Sequence, residues 1–164
     1  MATLKTEGLD DYIRRLEALV DDTDEDIIAV VKAGGDVVAD AIREGLNTIP
    51  VHPDDEYGTA DKPLVGLTAK QKAEVIANYG LAPIRNDDGF INTKAGFKGK
   101  SSTKSKKYPN GIPIKTLMRR LESGTSWLRK SPVIRRAVSR AKKAAIETME
   151  RELVSRIERR LNNG

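Results

Sequence analysis

Residues Ser131 to Leu161 read SPVIRRAVSRAKKAAIETMERELVSRIERRL, and this stretch decides the fold. Ser131 and Pro132 have the chemistry of an N-cap followed by a first-turn proline, the pair that opens a helix. Behind them Ile134, Ala137, Val138, Ala141, Ala145, Thr148, Met149, Leu153 and Ile157 fall along one face, so the spacing predicts a long terminal helix to about Leu161. The other side carries Arg135, Arg136, Arg140, Lys142, Lys143, Arg151, Arg156, Arg159 and Arg160, the usual solvated face of an amphipathic helix. A membrane-surface helix would set bulky apolar residues opposite those charges; here that face is rich in Ala, which fits close packing against protein.

Two further helices are predicted toward the N-terminal end. Leu9, Tyr12, Ile13, Leu16 and Leu19 recur at helical spacing between Gly8 and Val20. Asp21-Asp22-Thr23-Asp24 breaks that helix and supplies capping oxygens. Ile27, Val30, Val31, Gly34, Val38, Ala41 and Ile42 then continue a second one to about Leu46. Its small residues Ala33, Gly34, Gly35, Ala39 and Ala41 are tolerable where another element crosses closely.

The middle of the chain is mixed. Pro50, Pro53, Pro63 and Gly58 mark residues 48–66 as an exposed, mobile loop. Thr68 and Gln71 match a capping box for a helix through Ala73, Val75, Ile76 and Tyr79, with Gly80 as its left-handed stop. Leu81 to Arg85, the turn Asn86-Asp87-Asp88-Gly89, and Phe90 to Phe97 predict a hairpin of two strands. Residues 98–110 are polar and aperiodic, a second mobile loop. Ile114, Leu117, Met118 and Leu121 have helical spacing, with a strand as the alternative. The expected class is therefore α+β: a small antiparallel sheet packed with long helices, in one domain spanning residues 1–164.

Composition agrees. Only 4% of the 164 residues are aromatic and 38% are apolar, so the core must come from Leu, Ile, Val and Ala on helix faces. There is no cysteine, which excludes disulfides and thiolate chemistry. Without an apolar run long enough to span a bilayer or to serve as a leader, a soluble, non-membrane protein is expected.

The net charge of +5 hides an asymmetry. Residues 1–66 carry 6 Lys/Arg against 16 Asp/Glu, and residues 67–164 carry 23 against 8, so net −10 faces net +15. Opposite halves can neutralise one another inside the fold, register neighbouring copies, or hold an acidic partner. Between Asp88 and Glu122 the charge is all positive, including a basic loop of Lys98, Lys100, Lys104, Lys106 and Lys107. Such a segment can attract a nucleic-acid backbone, although the only rings nearby for stacking are Phe90, Phe97 and Tyr108.

Catalytic constellations are missing from the sequence. His52 lies beside Asp54, Asp55 and Glu56 at no metal-ligand spacing, and Asp87 with Asp88 reads as turn chemistry. No glycine-rich loop ends in a Lys-Ser/Thr pair. No enzyme activity, cofactor or metal is expected.

The most specific signal is Glu122-Ser123-Gly124-Thr125-Ser126-Trp127, followed by Pro132-Val133-Ile134-Arg135-Arg136-Ala137. Gly124 permits a sharp turn, Thr125 and Ser126 can bond nearby backbone groups, and Trp127 can anchor the turn. This pattern resembles the phage neck and tail-completion (head-tail joining) family typified by gene product ten of a lambdoid coliphage. In that family an acidic residue and Gly-Thr-Ser precede a Pro-Phe-aliphatic-Arg-Pro-Ala stretch that opens the terminal helix. Val133 and Arg136 stand here where the family has Phe and Pro, and His52-Pro53-Asp54 replaces its Asp-Thr-Gly. Gly8-Leu9-Asp10, Ile49-Pro50-Val51, the 67–79 helix and Tyr108-Pro109-Asn110-Gly111 extend the likeness along the chain, toward a subgroup found in phages and prophages of Gram-positive bacteria.

The resemblance implies a non-enzymatic virion structural protein, made in the host bacterial cytoplasm. It would form a ring-like homo-oligomer in the neck, between the portal-stopper complex and the tail tube, with other phage neck and tail proteins as partners. Glu122, Gly124, Thr125, Ser126, Trp127, Pro132 and Arg135 are the candidate interface, and the basic loop a second contact, with a weak DNA contact as a further expectation. The rival expectation is a nucleic-acid-binding protein using residues 88–122.

Overall fold

Two long antiparallel helices frame the molecule in the computed structural model, which describes residues 23–163. Helix α1 (Thr23–Asn47) and helix α4 (Val133–Asn163) run in opposite directions. Gly45 lies against Val133 and Ala137, Gly34 against Met149, and Asp26 pairs with Arg156 and Arg160. The expected helix over 8–20 falls outside the described residues.

Helix α4 meets α1 through Ala137, Ala141 and Ala145, all buried, at the four-residue spacing of one ridge. The crossing explains the small residues of α1: a Cβ on Gly34 would come within 2.5 Å of the Met149 side chain. Opening the terminal helix is the work of a residue other than the one expected. Ser131 is not the cap; the Glu122 carboxylate takes the N–H groups of Ile134 at 2.6 Å and Arg135 at 3.4 Å. A negative group on the free N–H groups of a helix start is favoured by both hydrogen bonding and the helix dipole.

Between these helices the chain builds short strands and two smaller helices. Strand β1 (Val51–His52) pairs parallel to β2 (Leu67–Thr68). Helix α2 (Ala69–Ala77) follows with the capping box in place, Thr68 and Gln71 exchanging both bonds. The helix ends earlier than expected, at Asn78, whose backbone and side-chain N–H groups both reach the Glu74 carbonyl. Gly80 is accordingly not a helix cap but a strand residue.

That strand begins the hairpin. Strands β3 (Tyr79–Leu81) and β6 (Ala95–Phe97) pair antiparallel, as do β4 (Arg85–Asp87) and β5 (Phe90–Asn92) nearer the tip. Asp88 and Gly89 turn it with φ of 54° and 86°, the two positive values of a two-residue hairpin turn. Between the two paired stretches the first strand holds one residue more than the second, a bulge containing Pro83, which has no N–H to give the ladder.

Helix α3 (Ile114–Ser123) settles the strand-or-helix alternative. Its Ile114, Leu117, Met118 and Leu121 join Ile42, Leu46, Ile49, Leu67, Val75 and Leu128 in the core. The core therefore sits where the end of α1 meets the start of α4. Ile49 and Leu64 carry the 48–66 stretch into it, so that stretch is less exposed than expected. The architecture is α+β, with small antiparallel pairings packed among long helices.

Candidate assembly interface

The Gly124–Trp127 turn lies where three segments converge. Gly124 has φ 77°, and its N–H closes α3 on the Arg120 carbonyl at 2.8 Å. Thr125 and Leu128 then exchange backbone bonds at 2.8 and 3.4 Å, a tight reversal. The Trp127 carbonyl accepts from the Leu64 N–H at 2.9 Å, and the Leu64 carbonyl from Arg129 at 2.7 Å, clasping the 48–66 stretch to the turn. A Cβ on Gly58 would lie 2.0 Å from that Trp127 carbonyl, so the approach depends on glycine.

Trp127 is 40% exposed. Beside it Arg120 stacks between two rings, its guanidinium carbon 5.7 Å from the centroid of Trp127 and 5.8 Å from that of Tyr108. This is cation–π geometry, and among the described residues Arg120 has no carboxylate partner.

A cleft of about 490 Å³ opens next to the stack. Asp54 and Glu56 give it an acidic lip; Lys70, Lys104 and Arg120 give it a basic one. His52 also lines it, its Nδ1 2.9 Å from the Pro53 carbonyl, which holds the imidazole in a backbone contact. Among the described residues no cluster of His, Asp and Glu has the arrangement to hold a metal ion, and no helix is long and apolar enough to cross a membrane.

The structure divides the residues expected at the interface. Ser126, Trp127 and Arg135 are exposed, whereas Gly124, Thr125 and Pro132 are half-buried. Thr125 Oγ1 is buried with no hydrogen-bond partner among the described residues. Glu122 is only 7% exposed and occupied by the start of α4, with Arg135 Nε 3.9 Å away, so its role is internal.

All five lysines of the basic loop are exposed, and none has a carboxylate partner among the described residues. The loop backbone is nonetheless tied down. Glu74 accepts from the Ser102 N–H at 3.0 and 3.1 Å, Gln71 donates to Thr103 Oγ1 at 3.1 Å, and Ser101 is buried. Sequence reasoning missed this tether and the Arg120 stack because both depend on residues brought together from distant parts of the chain. The single local signal was Tyr108 within a lysine-rich run.

Neither a family model, nor a curated protein, nor a solved structure matches this chain.

Proposed function

We propose that this chain is a structural subunit of the head-tail joining region of a long-tailed bacteriophage, acting by protein–protein assembly in a ring with copies of itself and with other neck and tail proteins. One observation carries the assembly part of this reading: among the described residues, few ion pairs join the two oppositely charged parts of the chain. Among the described residues, the ion pairs that join the acidic first part to the basic remainder all involve Asp26, with Arg156 at 3.2 Å and Arg160 at 2.7 Å. The others lie within one part of the chain, such as Arg43 with Asp40 in the first and Arg135 with Glu122 in the second. Charges left without internal partners favour complementary surfaces between molecules, which set register and speed encounter.

The phage assignment is supported by the Glu-Ser-Gly-Thr-Ser-Trp run and the Pro132–Ala137 start of the terminal helix. Three exposed aromatics, Tyr57, Phe90 and Trp127, are suited to anchoring a neighbour. The test is mass by light scattering on pure protein across salt and concentration. A discrete ring-sized oligomer that dissociates as salt rises is expected. A strict monomer at low salt and high concentration overturns intrinsic assembly and leaves assembly only on a preformed neck.

The unpaired lysines favour one second reading, binding of a nucleic-acid backbone through residues 88–122. It expects DNA retention that falls steeply from low to physiological salt. No retention even at low salt removes it.

A further inference from the structure

The β3–β6 hairpin runs along α1 away from the core. At its base the Tyr79 hydroxyl donates to the Ala39 carbonyl at 3.2 Å, Thr93 lies beside Gly35, and near the tip Asn86 Nδ2 donates to Asp24 Oδ2 at 3.3 Å, in the first turn of α1. Successive strand side chains face opposite ways, so with Asn86 turned to α1, Asp87 stands on the far face. Phe90 is the partner of Asp87 across the ladder and shares that face. Phe90 is 76% exposed, and both Asp87 and Asp88 are exposed without an ion pair among the described residues. The turn itself is bonded: the Gly89 N–H donates to Asn86 Oδ1 at 2.8 Å and Asn92 Nδ2 to Asp87 Oδ2 at 3.1 Å. The tip is therefore a pre-organised element that presents one large ring beside two carboxylates.

We propose that this tip docks into the cleft beside the Arg120 stack of a second copy of the chain. Charge complementarity selects the occupant. Residues 86–91 carry two carboxylates and no cation. The cleft, about 490 Å³, has Leu67, Ile112, Leu117 and Leu128 in its lining and Lys70, Lys104 and Arg120 along one side. Arg120 is a half-buried cation held by two rings and without a carboxylate partner among the described residues, so it lacks the anion that such a group ordinarily has. Phe90 fits the apolar lining and Asp87 and Asp88 the basic side. On the acidic side Glu56 is within 4.0 Å of its own Lys62, while Asp54 has no ion pair and would repel a tip seated the other way round. The proposal rests on the reading of the chain as a self-assembling subunit, and not on the phage assignment.

Position within the fold excludes the chain's own cleft as the partner. The apolar lining of the cleft packs with Ile42, Leu46 and Ile49 at the C-terminal end of α1, whereas Asn86 meets Asp24 at its N-terminal end. At 1.5 Å per helical residue, Asp24 and Leu46 are about 33 Å apart, so a tip cannot reach the cleft of its own chain. Tip and cleft are also different patches, and a contact between different patches leaves a free tip at one end of every pair and a free cleft at the other. Such a contact repeats from copy to copy and closes as a ring where the rotation allows.

The lack of cysteines makes a direct test clean. Asp88→Cys is combined with Lys104→Cys in one full-length chain, both sites being exposed, and the thiols are bridged with a short bis-maleimide at low salt. A ladder of covalent oligomers beyond the dimer is expected, because each copy offers one tip and one cleft. Either cysteine alone can give no more than a dimer, and Asp88→Cys with Lys142→Cys, on the exposed side of α4, should give no ladder. Absence of the ladder, or an equal ladder with Lys142→Cys, overturns the contact. Light scattering on the unaltered chain keeps the two readings apart: a ring without the ladder leaves self-assembly standing and removes only the tip and cleft from it. In a second arm Phe90→Ala is added to the double-cysteine chain. A tenfold or greater fall in ladder yield with the thermal midpoint unchanged is expected, and an undiminished ladder overturns the proposal.

Discussion

At the scale of single residues, Glu122 shows how a motif can be legible while its chemistry is misassigned. An acidic residue before Gly124-Thr125-Ser126 reads as part of a candidate interface between molecules. In the fold it is buried and its two oxygens receive the first free N–H groups of α4, from Ile134 and Arg135. Removing the carboxylate orphans those donors, so Glu122→Ala should lower unfolding free energy by about 1–3 kcal/mol in urea melts. Glu122→Gln keeps one acceptor and should lose less. Equal losses would show that the cap contributes little beyond packing. Tyr79 offers a pH test. Its hydroxyl donates to the Ala39 carbonyl at 3.2 Å, and burial raises its pKa from 10.0, opposed by nearby Arg43 and assisted by Asp40. A raised phenol pKa means that the unfolded chain ionises first. The stabilisation is therefore full below about pH 10 and declines as pH rises through the folded value. Tyr79→Phe should flatten that alkaline decline relative to the unaltered chain, and parallel stability curves for the two would contradict it.

At the scale of elements, what could be read in advance was what local rules govern. Thr68 with Gln71 capped α2, and Asp88-Gly89 turned the hairpin, because each is a short-range bargain among a few consecutive residues. Elements whose boundaries depend on distant partners were not legible. Gly80 looked like a helix stop, yet Tyr79 to Leu81 are drawn into pairing with Ala95 to Phe97, and the helix closes two residues earlier. The 98–110 segment has no periodicity to read, since its order comes from Gln71 and Glu74 on another element. The candidate site shares this division: the Gly124 turn was visible in the residues, but the stacking of Arg120 between Tyr108 and Trp127 was not. Close approaches yield a contrast that mutation can check. At Gly34 an added methyl meets Cγ and Sδ of the flexible Met149 side chain at 2.5 Å, with the Ala145 carbonyl at an ordinary 3.5 Å; Met149 can re-pack and alanine improves helix propensity, so Gly34→Ala should change stability by under about 1 kcal/mol. At Gly66 φ is 88° and the methyl would lie 1.9 Å from the Pro50 carbonyl oxygen, which is backbone. Gly66→Ala should therefore cost more than about 1 kcal/mol, and thermal melts of the two variants should separate clearly.

At the scale of the whole molecule, assembly through charge and assembly through aromatic anchors leave different marks. Lys104, Lys106 and Lys107 are exposed and take no part in ion pairs among the described residues, so reversing all three to Glu should leave the thermal midpoint nearly unchanged. If these lysines meet the acidic part of a neighbouring copy, that variant should lose low-salt self-association by tenfold or more, with the difference shrinking as salt screens it. Trp127 is a separate case, because its carbonyl, rather than its ring, clasps Leu64. Trp127→Ala removes a half-exposed ring and the Arg120 stack while leaving that backbone bond available, so weakened association that persists at high salt is the expected outcome. Light scattering on both variants separates the contributions. Loss in the lysine variant alone would make charge the organiser of the contact; loss in the tryptophan variant alone would make the turn its anchor. Unchanged association in both, with DNA retention abolished by the lysine reversal, would take the basic loop away from assembly and give it to a nucleic-acid backbone.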